Sequence, residues 1–276
     1  MTLSQLLAQC GLPPLEARML AARLLEKSSA WLIAHADEAV SPETGQAFAA
    51  LAARRGRGEP MAYILGEREF YGLEFLATPA VLIPRPETEL LVELALARMP
   101  EEAAVRVLDL GTGSGAIAVA LAKERPQAQV TAVDVEYAAL GVARENARRQ
   151  RVRVRFFCGD WLGPLPGETF DLIVSNPPYV AAGDSHLALG DVRFEPQRAL
   201  LGGADGLDCI RTIVVKARPH LRSGAWLLFE HGYDQAEACR ALLLEQGYAE
   251  VQSWPDLAGI PRVSGGIAAP VDGGNA

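Results

Sequence analysis

The stretch Val105-Arg106-Val107-Leu108-Asp109-Leu110-Gly111-Thr112-Gly113-Ser114-Gly115-Ala116, with the apolar run Ile117 to Ala122 behind it, restricts the fold more than any other part of the chain. It reads as a buried strand, a glycine turn and a helix. Alternating glycines let the backbone take positive φ and let a ligand approach closely, and the start of the helix offers unpaired N–H groups with a partial positive charge. An anionic ligand group is expected there. The spacing is Gly-x-Gly-x-Gly, not the dinucleotide Gly-x-Gly-x-x-Gly, and Asp109 precedes it, which weakens a hydride-transfer reading. About twenty residues on, Val130-Thr131-Ala132-Val133-Asp134 reads as a strand ending in a carboxylate, the position from which an acidic group accepts hydrogen bonds from a ribose diol. The expected ligand carries ribose.

From Glu87 onward strands and helices alternate, which argues an α/β domain with a mainly parallel sheet. Asn176-Pro177-Pro178-Tyr179 follows the apolar strand Phe170 to Val174 and so falls where open α/β sheets bind ligands. Two consecutive prolines remove backbone donors but keep their carbonyls, and the residue before a proline is pushed out of helical geometry. The result is a stiff, acceptor-rich loop. Asn176 adds a side-chain amide and Tyr179 a flat ring, a set suited to gripping a planar NH2-bearing group, whether in a nucleobase or in an amide. Taken alone, the four residues also fit an ordinary strand-end turn with a buried tyrosine.

The first seventy or so residues read as helical, with Leu15, Met19 and Ala22 at helical spacing, a start signal at Ser41-Pro42-Glu43, and Phe48 and Leu51 on a buried side. Glu69 to Phe75 reads as a hairpin-like link. The expected organisation is a helical domain at 1–74, a hairpin linker at 75–85, and a catalytic domain at 86–276. The basic cluster Arg54 to Arg57 reads as a solvated helix end, with contact to an acidic partner as the alternative. Tyr248 to Gln252 and Gly259 to Ala268 are expected to form a closing antiparallel pair, and Val271 to Ala276 a frayed end.

The chain has 276 residues, 50% of them hydrophobic, a formal net charge of -8 and a pI near 5.2. That length holds one large α/β domain and a smaller one. The acidic balance lacks the basic field that phosphate backbones favour, so free DNA is disfavoured as a substrate. Cys10, Cys158, Cys209 and Cys239 show neither metal spacing nor a disulfide framework, and buried structural thiols in a reducing cytoplasm are expected. No apolar run approaches the roughly 20 residues of a membrane span, and no signal-type segment opens the chain. His35, His186 and His220 have no ligand-like spacing. No metal site is expected.

Glycine loop, strand-end Asp134, Gly159-Asp160-Trp161 after the strand Val152 to Phe157, and Asn-Pro-Pro-Tyr after the next strand form an order that resembles class I S-adenosylmethionine methyltransferases acting on planar nitrogen. Leu82-Ile83-Pro84-Arg85-Pro86-Glu87-Thr88-Glu89, Gly190-Asp191-Val192-Arg193-Phe194-Glu195-Pro196 and Glu230-His231-Gly232 narrow it. Together these look like the PrmC (HemK) family of bacterial peptide chain release factor glutamine N5-methyltransferases, along nearly the whole chain to about Gly266. The resemblance implies a Rossmann-like domain with a mainly parallel seven-stranded sheet and an antiparallel last strand, plus a small N-terminal helical domain that docks substrate. It implies S-adenosylmethionine as methyl donor, release factors 1 and 2 as protein partners through the glutamine of their Gly-Gly-Gln loop, and a cytoplasmic monomer. It assigns Asp109, Gly111, Thr112, Gly113, Ser114, Gly115, Asp134, Asp160, Trp161 and Asn176 to the cofactor, and Asn176, Pro177, Pro178 and Tyr179 to the substrate. A ribosomal-protein glutamine or an adenine amine is the alternative acceptor. A departure lies at Gly259-Ile260-Pro261-Arg262-Val263, where a proline stands beside the expected arginine and puts the terminal hairpin in question.

A glutamine side-chain nitrogen is a poor nucleophile because its lone pair is delocalised into the carbonyl, the same resonance that gives peptide bonds a rotation barrier of about 18–20 kcal/mol. Asn176 Oδ1 and the Pro177 carbonyl are expected to accept the two amide hydrogens and turn the lone pair toward the methyl group, with Tyr179 packed on the amide plane. Catalytic roles therefore fall on Asn176, Pro177 and Tyr179. A sulfonium methyl is already activated and calls for neither metal nor enzyme nucleophile. Glu230 and His231 are candidate proton acceptors, with a structural hydrogen bond the plainer role for His231. Arg85 and Glu87 are expected either to close over the cofactor's amino-acid end or to cap a helix.

Overall fold

The computed structural model describes residues 1–269, so the expected frayed end Val271 to Ala276 lies outside the described residues. By internal contacts the chain divides into Met1–Glu67 with Ala188–Phe194, and Arg68–Leu187 with the residues from Glu195 on.

The first unit is helical: α1 (Leu3–Gln9), α2 (Pro14–Leu25), α3 (Ser29–Ala34), α4 (Pro42–Gly56) and α5 (Met61–Leu65). Ser41 caps α4, its hydroxyl accepting from the Thr44 N–H at 3.2 Å, as the Ser-Pro-Glu start signal requires. The core stripe of α2 differs from the expected one. Leu15 and Met19 are exposed, and Ala17, Leu20 and Ala21 are buried in the core that holds Phe48. Apolar residues occupy both stripes, and the alanine-rich one allows the closer helix approach. The basic cluster is also less free than a solvated helix end. Arg54 pairs with Glu59, and Arg55 makes a two-pronged bond to Glu16 at 2.8 Å while reaching Asp191 at 3.0 Å. Arg193 donates to the Arg57 carbonyl at 2.7 Å.

The hairpin is β1 (Glu67–Phe70) and β2 (Leu73–Leu76), at the place expected for the link Glu69 to Phe75, and only the first two residues of the range 75–85 fall within it. Phe70 and Phe75 are buried in the core of the larger unit, which explains why the division falls at Glu67 and not at residue 74. After α6 (Glu89–Leu96) come β3 (Arg106–Leu110), α7 (Ala116–Glu124), β4 (Gln129–Asp134), α8 (Tyr137–Gln150), β5 (Arg155–Cys158), β6 (Phe170–Ser175), α9 (Asp208–Ala217), β7 (Leu221–Glu230), α10 (Ala236–Glu245), β8 (Tyr248–Pro255) and β9 (Pro261–Ala268). The seven-stranded sheet has the order β5-β4-β3-β6-β7-β9-β8. Pairs from β5 to β7 are parallel, and β9 runs antiparallel to both its neighbours.

Pro261 takes the first position of β9, where a missing N–H costs no ladder bond, so the questioned hairpin forms with its proline in place. One face of the sheet is buried with α6 and α7, the other with α9 and α10. Central strands covered on both faces show near-continuous apolar sequence, as β6 does. Only Cys239 is buried among the cysteines; Cys158 is exposed at the end of β5, and Cys10 and Cys209 are half-buried, so the expectation of buried thiols holds for one of them. All are free. Among the described residues no helix is long and apolar enough to cross a membrane, and no group of three or more His, Cys, Asp or Glu is arranged to hold a metal ion.

Candidate active site

The carboxyl ends of β3, β4, β5 and β6 bring Gly111 to Ser114, Asp134, Asp160, Trp161 and Asn176 onto the wall of one cavity of about 370 Å³. This is the crevice that parallel α/β sheets leave at their strand ends. The glycine loop is held from below, with the Gly111 and Thr112 N–H groups donating to the Val133 carbonyl at 2.9 and 3.0 Å. Gly111 has φ 70, and a Cβ built there would lie 3.6 Å from the Trp161 ring. Trp161 itself has φ 49, unusual for a bulky residue, and this left-handed turn brings its ring beside the loop. Asp160 pairs with Lys216 at 3.1 Å.

Asp134 is bound to the loop it faces. Its Oδ2 accepts the Gly113 N–H at 2.8 Å and its Oδ1 the Glu136 N–H at 2.9 Å. Burial raises its pKa, against the pull of these N–H groups. Each oxygen keeps a lone pair for a further donor.

Two residues assigned to the cofactor do not line the cavity. Asp109 is fully buried, accepts from Thr112 Oγ1 at 2.6 Å, and leaves its Oδ1 without a hydrogen bond. Desolvation raises its pKa to about 7, with the Thr112 bond opposing. It shares a strand face with Val107, and that face is covered by α7, so its side chain cannot reach the cavity. Gly115 has φ 80 at the start of α7, where a Cβ would stand 3.0 Å from the Ala143 Cβ of α8. It is a contact glycine between helices.

Asn176 follows the last residue of β6, Ser175, whose hydroxyl donates to the Leu110 carbonyl at 2.7 Å and ties the two strand ends together. Asn176 Nδ2 donates to Thr88 Oγ1 at 3.0 Å, and Thr88 Oγ1 donates to Glu230 Oε2 at 2.6 Å. Tyr179 Oη donates to Glu230 Oε1 at 3.0 Å. Pro178 lines the cavity, while Pro177 is buried and Tyr179 does not line it. The Tyr179 hydroxyl is held by a buried carboxylate, and desolvation beside that charge pushes the phenol pKa up. Glu230 is buried at the end of β7, and desolvation raises its pKa against the opposing hydrogen bonds.

His231 has no route to the cavity. Its Nδ1 lies 2.8 Å from the Gly232 carbonyl, which fixes that nitrogen as the donor, and its Nε2 lies 2.8 Å from Ser264 Oγ. Burial lowers its pKa, so it stays neutral as a structural ring.

Asn146 and Gln235 support the site without belonging to any of the motifs. Asn146 of α8 is fully buried and joins the Ser114 carbonyl to the backbone of Leu76. Gln235 donates to the Tyr179 carbonyl at 3.0 Å. Glu195 is buried, bonds to Arg85 and accepts the Ile83 N–H at 3.0 Å, so Arg85 and Glu195 hold the two specific loops together at the cavity. Arg198 pairs with Glu136 at 2.9 Å across residues of the same wall. A polar residue on the inner stripe of an amphipathic helix was the one available sign of Asn146.

A seven-stranded sheet with only the last strand reversed, and a glycine turn opening onto a strand-end cavity, defines a Rossmann-like methyltransferase. Residues 87–203 match the model described as Methyltransferase small domain, and residues 2–66 match the PrmC N-terminal domain. A methyltransferase from Pyrococcus furiosus shares the fold with a TM-score of 0.55 at 20% identity, over 79% of this chain and 98% of that one. Curated relatives named Release factor glutamine methyltransferase include one from Bordetella pertussis, 57% identical over 96% of this chain and 98% of its own length. Another, from Neisseria gonorrhoeae, is 51% identical over 96% and 97%. The chain belongs to the release factor glutamine methyltransferase family, and it is an enzyme of methyl transfer.

Proposed function

We propose that the protein transfers a methyl group from S-adenosylmethionine to the side-chain amide nitrogen of the glutamine in the Gly-Gly-Gln loop of class I release factors 1 and 2. The observation that carries this reading is Asn176: it lines a cavity shared with the glycine loop and its Nδ2 is tied to Thr88, so Oδ1 is the end left for a ligand. An oxygen so held is an acceptor for a planar NH2 group.

The residues present fit the cofactor. Gly111 to Ser114 supply close-approach backbone for its methionine end, Asp134 has lone pairs free for a ribose diol, and the Trp161 ring with Asp160 offers a flat wall for adenine. Bound there, S-adenosylmethionine would supply an already activated sulfonium methyl: the S–CH3 bond breaks as the N–CH3 bond forms, one amide proton is released, and S-adenosylhomocysteine is the product. Asn176 Oδ1 and the Pro177 carbonyl then accept the hydrogens of the substrate amide. Holding them out of the amide plane withdraws the lone pair from resonance and aims it, so positioning and fixed dipoles do the catalytic work. Tyr179 acts from behind, through Glu230, on the shape of the loop. The helical unit docks the release factor, and the enzyme works in the cytoplasm as a monomer.

Incubation with labelled S-adenosylmethionine and purified release factors, followed by mass spectrometry of the Gly-Gly-Gln peptide, tests this. Label on that glutamine is expected. Label appearing only in nucleic acid or in a ribosomal protein would overturn the choice of acceptor. Asn176→Ala is expected to abolish transfer while calorimetry finds cofactor affinity close to wild type.

A further inference from the structure

Asn176 can hold a substrate amide only if its carbonyl end, and not its NH2 end, faces the incoming nitrogen. The two ends have nearly the same shape, so packing does not choose between them. The choice is made beside the side chain by Thr88, which lines the same cavity. A threonine hydroxyl has a single proton to give. An ionised carboxylate can only accept, so while Glu230 is charged the Thr88 proton points to Glu230 Oε2 at 2.6 Å, and Thr88 turns a lone pair toward Asn176. Asn176 must answer with Nδ2–H, at 3.0 Å, and its oxygen is left toward the cavity. Tyr179 gives its own proton to the other oxygen of Glu230, so both carboxylate oxygens receive donors. Thr88 is 4% and Glu230 1% exposed, and the bond between them is direct.

We propose that Glu230, acting through the Thr88 hydroxyl, is a positioning residue that fixes the Asn176 amide with its oxygen turned toward the substrate nitrogen. The inference rests on Asn176 as the amide-gripping residue. It gives Thr88, inside Arg85 to Glu89, and Glu230, 142 residues further on, a joint task in the transfer step. A protonated Glu230 donates to Thr88, Thr88 then donates to Asn176, and the amide turns over to set NH2 against NH2. Besides Thr88 and Tyr179, the charged groups acting on Glu230 are Arg262, which favours its ionised form, and Glu87, which opposes it. Burial raises the carboxyl's pKa, so the turnover belongs to the acid side of the profile.

Thr88→Val keeps the side-chain shape and removes the hydroxyl. Loss of one orienting hydrogen bond used in the transition state should lower kcat about 10- to 100-fold. KM for release factor and the calorimetric Kd for S-adenosylmethionine should stay near wild type, the melting temperature should fall because Glu230 Oε2 loses its Thr88 donor, and Thr88→Ser should restore it together with most of kcat. The Asn176 side-chain amide resonances, assigned by their loss in Asn176→Ala, should move in Thr88→Val and return in Thr88→Ser. Glu230→Gln can present either an oxygen or an NH2 to Thr88 and should lose kcat by a similar factor. If that variant does not fold, the acid limb of wild-type kcat, expected to vanish in Thr88→Val, tests Glu230 in its place. Wild-type kcat in Thr88→Val, or a Thr88→Ser variant no better than Thr88→Val, would overturn the proposal. A wild-type enzyme that methylates no glutamine amide would instead sink the reading of Asn176 itself, so the two failures are distinct.

Discussion

Replacing Asp109 by Asn should flatten the dependence of stability on pH across the neutral range. Asp109 is fully buried under the glycine loop and has one oxygen on Thr112 and the other without a hydrogen bond. Burial lifts its pKa from 3.8 to about 7. The folded protein therefore keeps a proton that the unfolded chain has released. Its stabilising contribution is complete below about 3.8, is lost as pH rises toward about 7, and changes no further above that. At about 1.4 kcal/mol per pKa unit, a gap of about three units amounts to about 4 kcal/mol, of which roughly 2.5 kcal/mol falls between about pH 5 and pH 8. Asn keeps the acceptor for Thr112 and cannot ionise. Asp134 and Glu230, also raised by burial, slope the same way in both proteins and cancel in the comparison. Glu16, Glu59 and Glu168 are held below 4.5 by arginines, so their opposite contribution is confined to more acid solution. Urea unfolding followed by circular dichroism at several pH values measures the effect. The wild-type curve should fall relative to Asp109→Asn as pH rises. Parallel curves would refute the reasoning, because they would mean that Asp109 ionises in the folded protein as easily as in water.

Gly115→Ala must place a Cβ against Ala143 at φ 80, and a left-handed non-glycine residue alone costs roughly 1–2 kcal/mol, so thermal unfolding should shift down by at least that equivalent. Asp134→Asn should weaken S-adenosylmethionine binding about tenfold or more by calorimetry, since one charge-assisted acceptor for the ribose is lost, and the melting temperature should also fall, since an Asn can accept from only one of the Gly113 and Glu136 N–H groups. Arg85→Ala leaves the buried Glu195 carboxylate without its partner and should destabilise the fold by about 3 kcal/mol in urea, with Glu195→Gln in the same background restoring part of it.

The chain order of the site was legible because each part lies just after a strand. Gly111, Asp134, Trp161 and Asn176 each follow an apolar run, and a parallel sheet places all strand ends on one edge. Which side chains point into the crevice was not legible to the same extent. Strands buried on both faces carry no polar alternation, so nothing local shows that Asp109 turns under α7 while Asp134 faces the cavity. Gly111 and Gly115 look equivalent in sequence, yet a Cβ on the first would make only ordinary contact with the Trp161 ring while one on the second would crowd Ala143, and that depends on a helix packed from elsewhere. In α2, Leu15 and Met19 gave the larger apolar signal, but Ala17, Leu20 and Ala21 make the core, because small residues allow the closer helix contact.

The short motifs that looked independent turn out to depend on one carboxylate. Thr88 comes from the turn before α6, Asn176 and Tyr179 from the loop after β6, and Glu230 from the end of β7; all converge because β6 and β7 are parallel neighbours whose ends meet. A rigid Asn-Pro-Pro-Tyr loop sets where Asn176 sits, but an amide has two faces of nearly equal shape, and rigidity cannot tell oxygen from nitrogen. That distinction needs a proton whose direction is fixed, which needs an acceptor-only group. Glu230 in its ionised form is such a group, and burial, which raises its pKa, is the cost the fold bears for a defined polarity at Asn176. The specificity for an NH2-bearing substrate therefore resides partly in Glu230, a residue that has no place on the cavity wall.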